Sequence, residues 1–221
     1  MGCRIMTDML QPLTRERREL EQRELLCEML RLFYDKGWVS GTGGGLCARL
    51  DDGRLLVAPT GVHKERVQPD DLFLVEPVEG TIVRPPALQS LRPSECTPIF
   101  RAVIRARGAG SVVHSHALSA VLAADLADEG ALLIHGLEML KGVRGAASAD
   151  AHLVPVIVNT PRESELVDQV EAALADPRFE AAGAILVSDH GAYIWGIDVW
   201  EAKRHTEVYH FLFEAVKARR A

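Results

Sequence analysis

Val112-Val113-His114-Ser115-His116 decides the reading of this chain. In a strand, side chains two positions apart share a face, so His114 and His116 would present two imidazoles together. That is half of a metal site. Neutral imidazole suits zinc, and a catalytic zinc commonly takes three protein ligands and keeps one position open. The third ligand is expected at His190, in Ser188-Asp189-His190-Gly191, which follows the apolar run Ala184-Ile185-Leu186-Val187 and precedes a glycine suited to a tight turn. By itself His-x-His is weak evidence, because the same two residues also read as ordinary polar side chains near a strand end.

Working outward, Gly108-Ala109-Gly110 turns the chain into this strand, and Ala117 to Ala127 reads as a small-residue helix behind it. Just upstream, Thr97 and Pro98 predict a helix start, with Ile99, Ala102, Val103 and Ala106 as its buried stripe. Ser94, Glu95 and Cys96 then stand at a helix N-terminus, where the dipole favours anions and a lowered thiol pKa. Leu55 to Ala58 reads as a strand running into the turn Pro59-Thr60-Gly61. Lys64 and Arg66 after it could meet a phosphate or simply face water. Leu72 to Val75 and Thr81 to Val83 read as short antiparallel strands, and Pro85 to Pro93 as a connecting loop. Ser40-Gly41-Thr42-Gly43-Gly44-Gly45 must be a loop, either a phosphate cradle or a flexible turn; it matches neither the Walker A nor the dinucleotide pattern. Before it, Thr14 caps a helix reaching about Lys36, with Leu26, Met29, Leu30 and Phe33 inward and Gly37 as its stop.

Downstream, Glu138 in His135-Gly136-Leu137-Glu138-Met139-Leu140-Lys141-Gly142 stands among apolar residues, where desolvation would raise its pKa toward values useful in proton transfer; pairing with Lys141 is the plainer reading. Leu153 to Val158 reads as a strand whose Pro155 suits an edge or a bulge. Thr160-Pro161-Arg162-Glu163 reads as a capping box opening a helix with Leu166, Val167, Val170 and Leu174 inward. Ala192 to Trp195 forms another strand. Asp198 caps a last helix whose Trp200, Val208, Phe211, Leu212 and Val216 supply core or subunit contacts, with His205 and His210 structural.

Composition bounds these readings. A chain of 221 residues with 48% hydrophobic and 25% charged residues can bury a full core, and we read residues 14–221 as one domain after an N-terminal extension at 1–13. A formal net charge of −6 leaves no basic footprint for nucleic acid. Neither a secretory pattern nor a long apolar span is visible, so a cytoplasmic protein without membrane partners is expected. The four cysteines, at 3, 27, 47 and 96, have no C-x-x-C spacing and should be reduced thiols.

Together these stretches carry a resemblance. Gly-Thr-Gly-Gly-Gly (41–45), Ala-Pro-Thr-Gly-Val (58–62), Pro-Ser-Glu-Cys-Thr-Pro (93–98), His-Ser-His (114–116) and His-Gly-x-Tyr-x-Trp-Gly (190–196) occur in the order found in the class II aldolase and adducin family. Lys64-Glu65-Arg66, Cys96-Thr97-Pro98 and the segment 135–142 most resemble its branch that dehydrates methylthioribulose 1-phosphate in methionine salvage. The resemblance implies an α/β fold, three-layer α/β/α with a largely antiparallel central sheet. It implies a homotetramer with active sites near subunit boundaries, one zinc per subunit on His114, His116 and His190, Glu138 as catalytic acid/base, and Cys96 against the substrate. Gly43, Gly44, Thr60, Gly61 and Ser94 would hold the phosphate of a phosphorylated ketose, which loses water to give 5-(methylthio)-2,3-dioxopentyl 1-phosphate. Where aldolases and epimerases of the family end a Pro-Ser-x-Glu/Asp motif with an acid, this chain has Cys96, which disfavours aldol cleavage; a one-residue shift that brings Glu95 into place would restore it. An aldolase or epimerase acting on another sugar phosphate, and a non-catalytic scaffold, remain the alternatives.

Overall fold

Alternation along the His-x-His strand sets the layers. The computed structural model describes residues 14–149 and 151–220; the extension expected at 1–13 lies outside the described residues. In chain order the strands are β1 (Gly45–Arg49), β2 (Leu55–Val57), β3 (Pro59–Thr60), β4 (Phe73–Val75), β5 (Ile82–Arg84), β6 (Arg92–Pro93), β7 (Ser111–Ser115), β8 (Ala131–Ile134), β9 (His152–Ile157), β10 (Ala184–Val187) and β11 (Gly191–Gly196). The helices are α1 (Arg15–Asp35), α2 (Thr97–Arg107), α3 (Leu118–Ala124), α4 (Val167–Ala175) and α5 (Val199–Arg220). Nine strands form one sheet in the order β5-β4-β2-β1-β7-β11-β10-β9-β8, every pairing antiparallel except β9 with β10. The His-x-His strand β7 is therefore central.

Val112 packs with α2 and α4 on one face of the sheet, and Val113 with α1 on the other, as a period of two requires. α3 and α5 extend the α1 layer over β10 and β11. The result is the expected three-layer α/β/α arrangement. In α1, Thr14 Oγ1 accepts from Arg17 N, a cap of about 1 kcal/mol. Burying Leu26, Leu30 and Phe33 contributes roughly 1.5–3 kcal/mol each, so packing rather than capping holds the helix. Gly37, at φ 75°, ends it as expected, and Asp198 Oδ1 caps α5 by accepting from Glu201 N at 2.7 Å.

Several local expectations are corrected. Ala106 is exposed, because α2 ends one residue later and its last turn leaves the sheet. Cys96, not Thr97, occupies the cap position of α2, and Thr97 Oγ1 turns back to donate to Ser94 O at 2.6 Å. Pro155 lies on an interior strand; pairing with β10 begins only at Val156, so its missing N–H faces no partner there. Thr160 and Glu163 form no capping box. Thr160 Oγ1 donates to Arg162 O, residues 163–166 are a 3-10 turn without a side-chain cap, and the Glu163 side chain points elsewhere.

Candidate metal centre

β7 carries His114 and delivers His116 just beyond its last residue, on the same face as Val112. Their Nε2 atoms lie 2.9 Å apart. His190 arrives from the turn between β10 and β11, and its Nε2 is 3.1 Å from that of His116. That turn needs the glycine expected of it for a steric reason: a Cβ on Gly191 would stand 2.0 Å from Ser115 O. The glycine loop has the same logic. A Cβ on Gly43 would meet His116 Nδ1 at 2.5 Å, and one on Gly44, which is at φ 70°, would meet His114 O at 2.7 Å. Both glycines let the loop lie directly against the histidine strand.

The second nitrogens of two rings are committed. His114 Nδ1 is 3.2 Å from Ala192 O, and His190 Nδ1 is 3.1 Å from Asn159 Oδ1. An oxygen of either kind only accepts, so each Nδ1 carries the proton and each Nε2 keeps its lone pair for the centre. Tyr193, opposite His114 in the β7–β11 register, stacks on it at 4.2 Å between centroids and 8° between planes. Burial, with the neighbouring imidazoles adding to it, pushes His116 down to about 3 and lowers His190. Neutral lone pairs facing one another cannot satisfy each other; a divalent cation between them would satisfy all three. The donor set therefore fits a metal.

A fourth group, overlooked in the capping-box reading, completes the cluster. Glu163 Oε1 lies 3.5 Å from His114 Nε2 and 3.7 Å from His190 Nε2, and all four ligand atoms fall within 4.8 Å of one another. Burial opposes ionisation of Glu163, but the neighbouring His114 and His190 rings and the Cys96 thiol outweigh it and hold the carboxyl at about 2. Cys96 Sγ donates to Glu163 Oε2. Burial first, then the Glu163 charge, pushes the Cys96 thiol well above its ordinary range, so the lowered pKa expected at a helix N-terminus is corrected: low dielectric and a facing carboxylate outweigh the dipole. Cys96 is buried and Glu95 exposed, so no register shift brings Glu95 to the cluster.

Glu138 does not have the apolar setting expected of it. It opens a surface 3-10 turn, its side chain is 76% exposed, and Lys141 Nζ bonds it at 2.6 Å. That bond and the lysine charge lower its pKa rather than raise it. Of its apolar neighbours, Leu137 and Leu140 pack on the core beneath the turn, while Met139 faces outward as Glu138 does.

The remaining sequence candidates, Thr60, Gly61 and Ser94, lie in and beside the two-stranded β3–β6 sheet. Pairing of β3 with β6 sets Thr60 and Gly61 next to Arg92, with Ser94 two residues on. Ser94 is buried, and its Oγ accepts from Cys96 N at 3.2 Å. Lys64 is 1% exposed, and its Nζ donates to Thr42 O and Val62 O, tying the glycine loop to the Thr60–Gly61 turn. His205 and His210 are structural, as expected: His205 bonds Trp195 O and Arg144 N, and His210 bonds Ser115 and Ser119 from behind β7. Tyr193 was legible in principle, since it shares the face of Trp195 in a strand that begins just after His190. Glu163 was not, because a threonine three residues ahead of a glutamate fits a cap equally well.

Comparison with known proteins agrees with this geometry. The family described as Class II Aldolase and Adducin N-terminal domain matches residues 24–216. Methylthioribulose-1-phosphate dehydratase of Aquarana catesbeiana is 42% identical over 199 residues, covering 87% of this chain and 82% of its own length. The protein of the same name from Osmerus mordax is 43% identical over 199 residues, covering 87% of this chain and 81% of its own. Among solved structures, YgbL of Escherichia coli superposes with a TM-score of 0.75 at 21% identity, covering 90% of this chain and 89% of that one, a likeness of fold.

Proposed function

The chain belongs to the class II aldolase and adducin family, and from that footing we propose that it is a metal-dependent lyase dehydrating methylthioribulose 1-phosphate, the substrate for which its relatives are named. The convergence of His114, His116 and His190 carries the reading. Their imidazole donors suit zinc, one per subunit. A divalent cation there supplies Lewis acidity that polarises the C2 ketone and acidifies the C3–H bond.

The rest is work for the chain's own residues. Gly43 and Gly44 bring backbone close to the histidines, and Thr60, Gly61 and Ser94 line the adjoining seat, which suits a phosphate dianion. Lys64 uses two of an ammonium's three donors on Thr42 O and Val62 O and adds a fixed positive charge beneath that seat. Cys96 forms the wall between this seat and the cluster. The C3–H bond and the C4–O bond break, water leaves, and the resulting enol becomes the 2,3-diketone, 5-(methylthio)-2,3-dioxopentyl 1-phosphate. Glu138, kept ionised by Lys141, takes the C3 proton and returns it to the departing C4 hydroxyl, and it does so across a subunit boundary of a homotetramer. Exposed apolar side chains support a contact between copies: Met139, next to Glu138, is 38% exposed, and Trp200 and Phe211 on α5 are 56% and 47% exposed. No helix among the described residues is long and apolar enough to cross a membrane, which accords with a cytoplasmic place in methionine salvage.

Product analysis tests this. With methylthioribulose 1-phosphate the chain should yield the diketone phosphate and one water. Retro-aldol fragments, or turnover of fuculose or ribulose phosphates in its place, would overturn the assignment.

A further inference from the structure

A carboxylate and a thiol share the centre with the three imidazoles. Taking the metal-centre reading above as its basis, we propose that Glu163 is the fourth ligand of the resting site, binding through Oε1 while Cys96 holds Oε2 in place. Four observations support it. Glu163 Oε1 is already 3.5 and 3.7 Å from two of the ligand nitrogens, whereas no other carboxylate among the described residues joins the cluster. Its second oxygen is fixed by the Cys96 thiol, a neutral donor that cannot compete for the cation while protonated. The 3-10 turn that carries Glu163 has no side-chain cap of its own, so the glutamate is withdrawn from the role its sequence position suggests. Asn159, four residues earlier, orients His190, so the single segment 159–163 supports one ligand and contributes another.

The arrangement also accounts for Cys96. A carboxylate at position 96 would face Glu163, and two like charges sharing one buried spot disfavour each other; a neutral thiol there lets the carboxylate come from the other side of the site. Cys96 is then a positioning residue, acting through Glu163. With a cation bound, the Glu163 carboxylate would be its fourth donor before substrate arrives, and its charge would raise affinity for the cation.

Metal binding tests this independently of turnover. Zinc affinity is measured by competition with a chromophoric chelator, and the cobalt-substituted protein is followed by visible spectroscopy from pH 6 to 9. Glu163→Gln should weaken zinc by about tenfold or more. It should also make the cobalt spectrum pH-dependent as water takes the vacated position and ionises, whereas the native spectrum stays constant. Cys96→Ala should weaken zinc, and Cys96→Ser, which keeps a donor, should restore it. Native affinity together with an unchanged spectrum in Glu163→Gln would overturn the proposal, and native affinity in Cys96→Ala would overturn the part assigned to the thiol. His116→Ala serves as the reference. If it keeps zinc, the metal centre itself is wrong; if it loses zinc while Glu163→Gln does not, only the fourth ligand is.

Discussion

Two short segments, one carrying Glu138 and the other Glu163, fare in opposite ways on folding. Leu137–Lys141 is apolar in sequence, yet its glutamate ends up on the surface against Lys141, because a 3-10 turn presents neighbouring side chains in different directions and it is Leu137 and Leu140 that pack on the core. Asn159–Leu166 is polar in sequence and resembles a helix start, yet Glu163 enters the cluster of three histidines. Neighbours along the chain say little about a carboxylate's surroundings where no regular period fixes which way it points. What decides is the company in space: one lysine in the first case, three imidazoles and a thiol in the second.

The largest expected effect tests the cluster that gives the second segment its meaning. His116→Ala should abolish metal binding and cut dehydration by roughly 10³-fold or more, the scale of losing several kcal/mol of charge stabilisation, checked by metal analysis and initial rates. Stoichiometric zinc in that variant would refute the ligand set. Next comes the first segment. Glu138→Gln should keep zinc and lose about 100-fold or more in turnover, as removal of a general acid does. Near-native rates would take Glu138 out of the mechanism.

A mixing experiment sharpens the comparison further. If Glu138 serves a neighbouring subunit, co-expressing His116→Ala with Glu138→Gln brings an intact histidine set and an intact Glu138 together at some boundaries and restores turnover that neither variant has alone. No recovery in a verified mixed assembly would confine each site to one chain. Smaller again is Gly43→Ala. The added methyl must displace the His116 ring, and zinc affinity should fall about tenfold, the usual scale for disturbing a ligand's support.

The smallest effect lies behind the sheet. Burial pushes His210 down to about 3, whereas an unfolded histidine titrates near its ordinary 6.5. As pH falls from 6.5 toward 3 only the unfolded chain takes the proton, so stability present above 6.5 is progressively lost. Melting curves across this range should show His210→Gln with a slope flatter by about one proton.

Much of this was legible in the sequence. The period-two placement of His114 and His116 follows from strand geometry alone, and the apolar stripe of α1 from helical spacing; both rest on regular repeats that tertiary packing preserves. His190 was legible from a strand, a turn and a glycine, although the reason for Gly191 is contact with Ser115 O rather than turn conformation. The order of motifs carried the family. The surroundings of Cys96 and Glu163 were misread, because each meets a partner 67 residues away and no local pattern encodes that, whereas Glu138's partner, Lys141, stands three residues on and was legible as the plainer reading.

The account depends on a divalent cation being held by the three histidines and required for the dehydration. The most direct measurement is turnover of methylthioribulose 1-phosphate by the native protein before and after chelation, with metal content determined alongside. Loss of activity with the metal, and its return when about one zinc per chain is restored, is the predicted result. Undiminished dehydration by protein verified to be metal-free would contradict it.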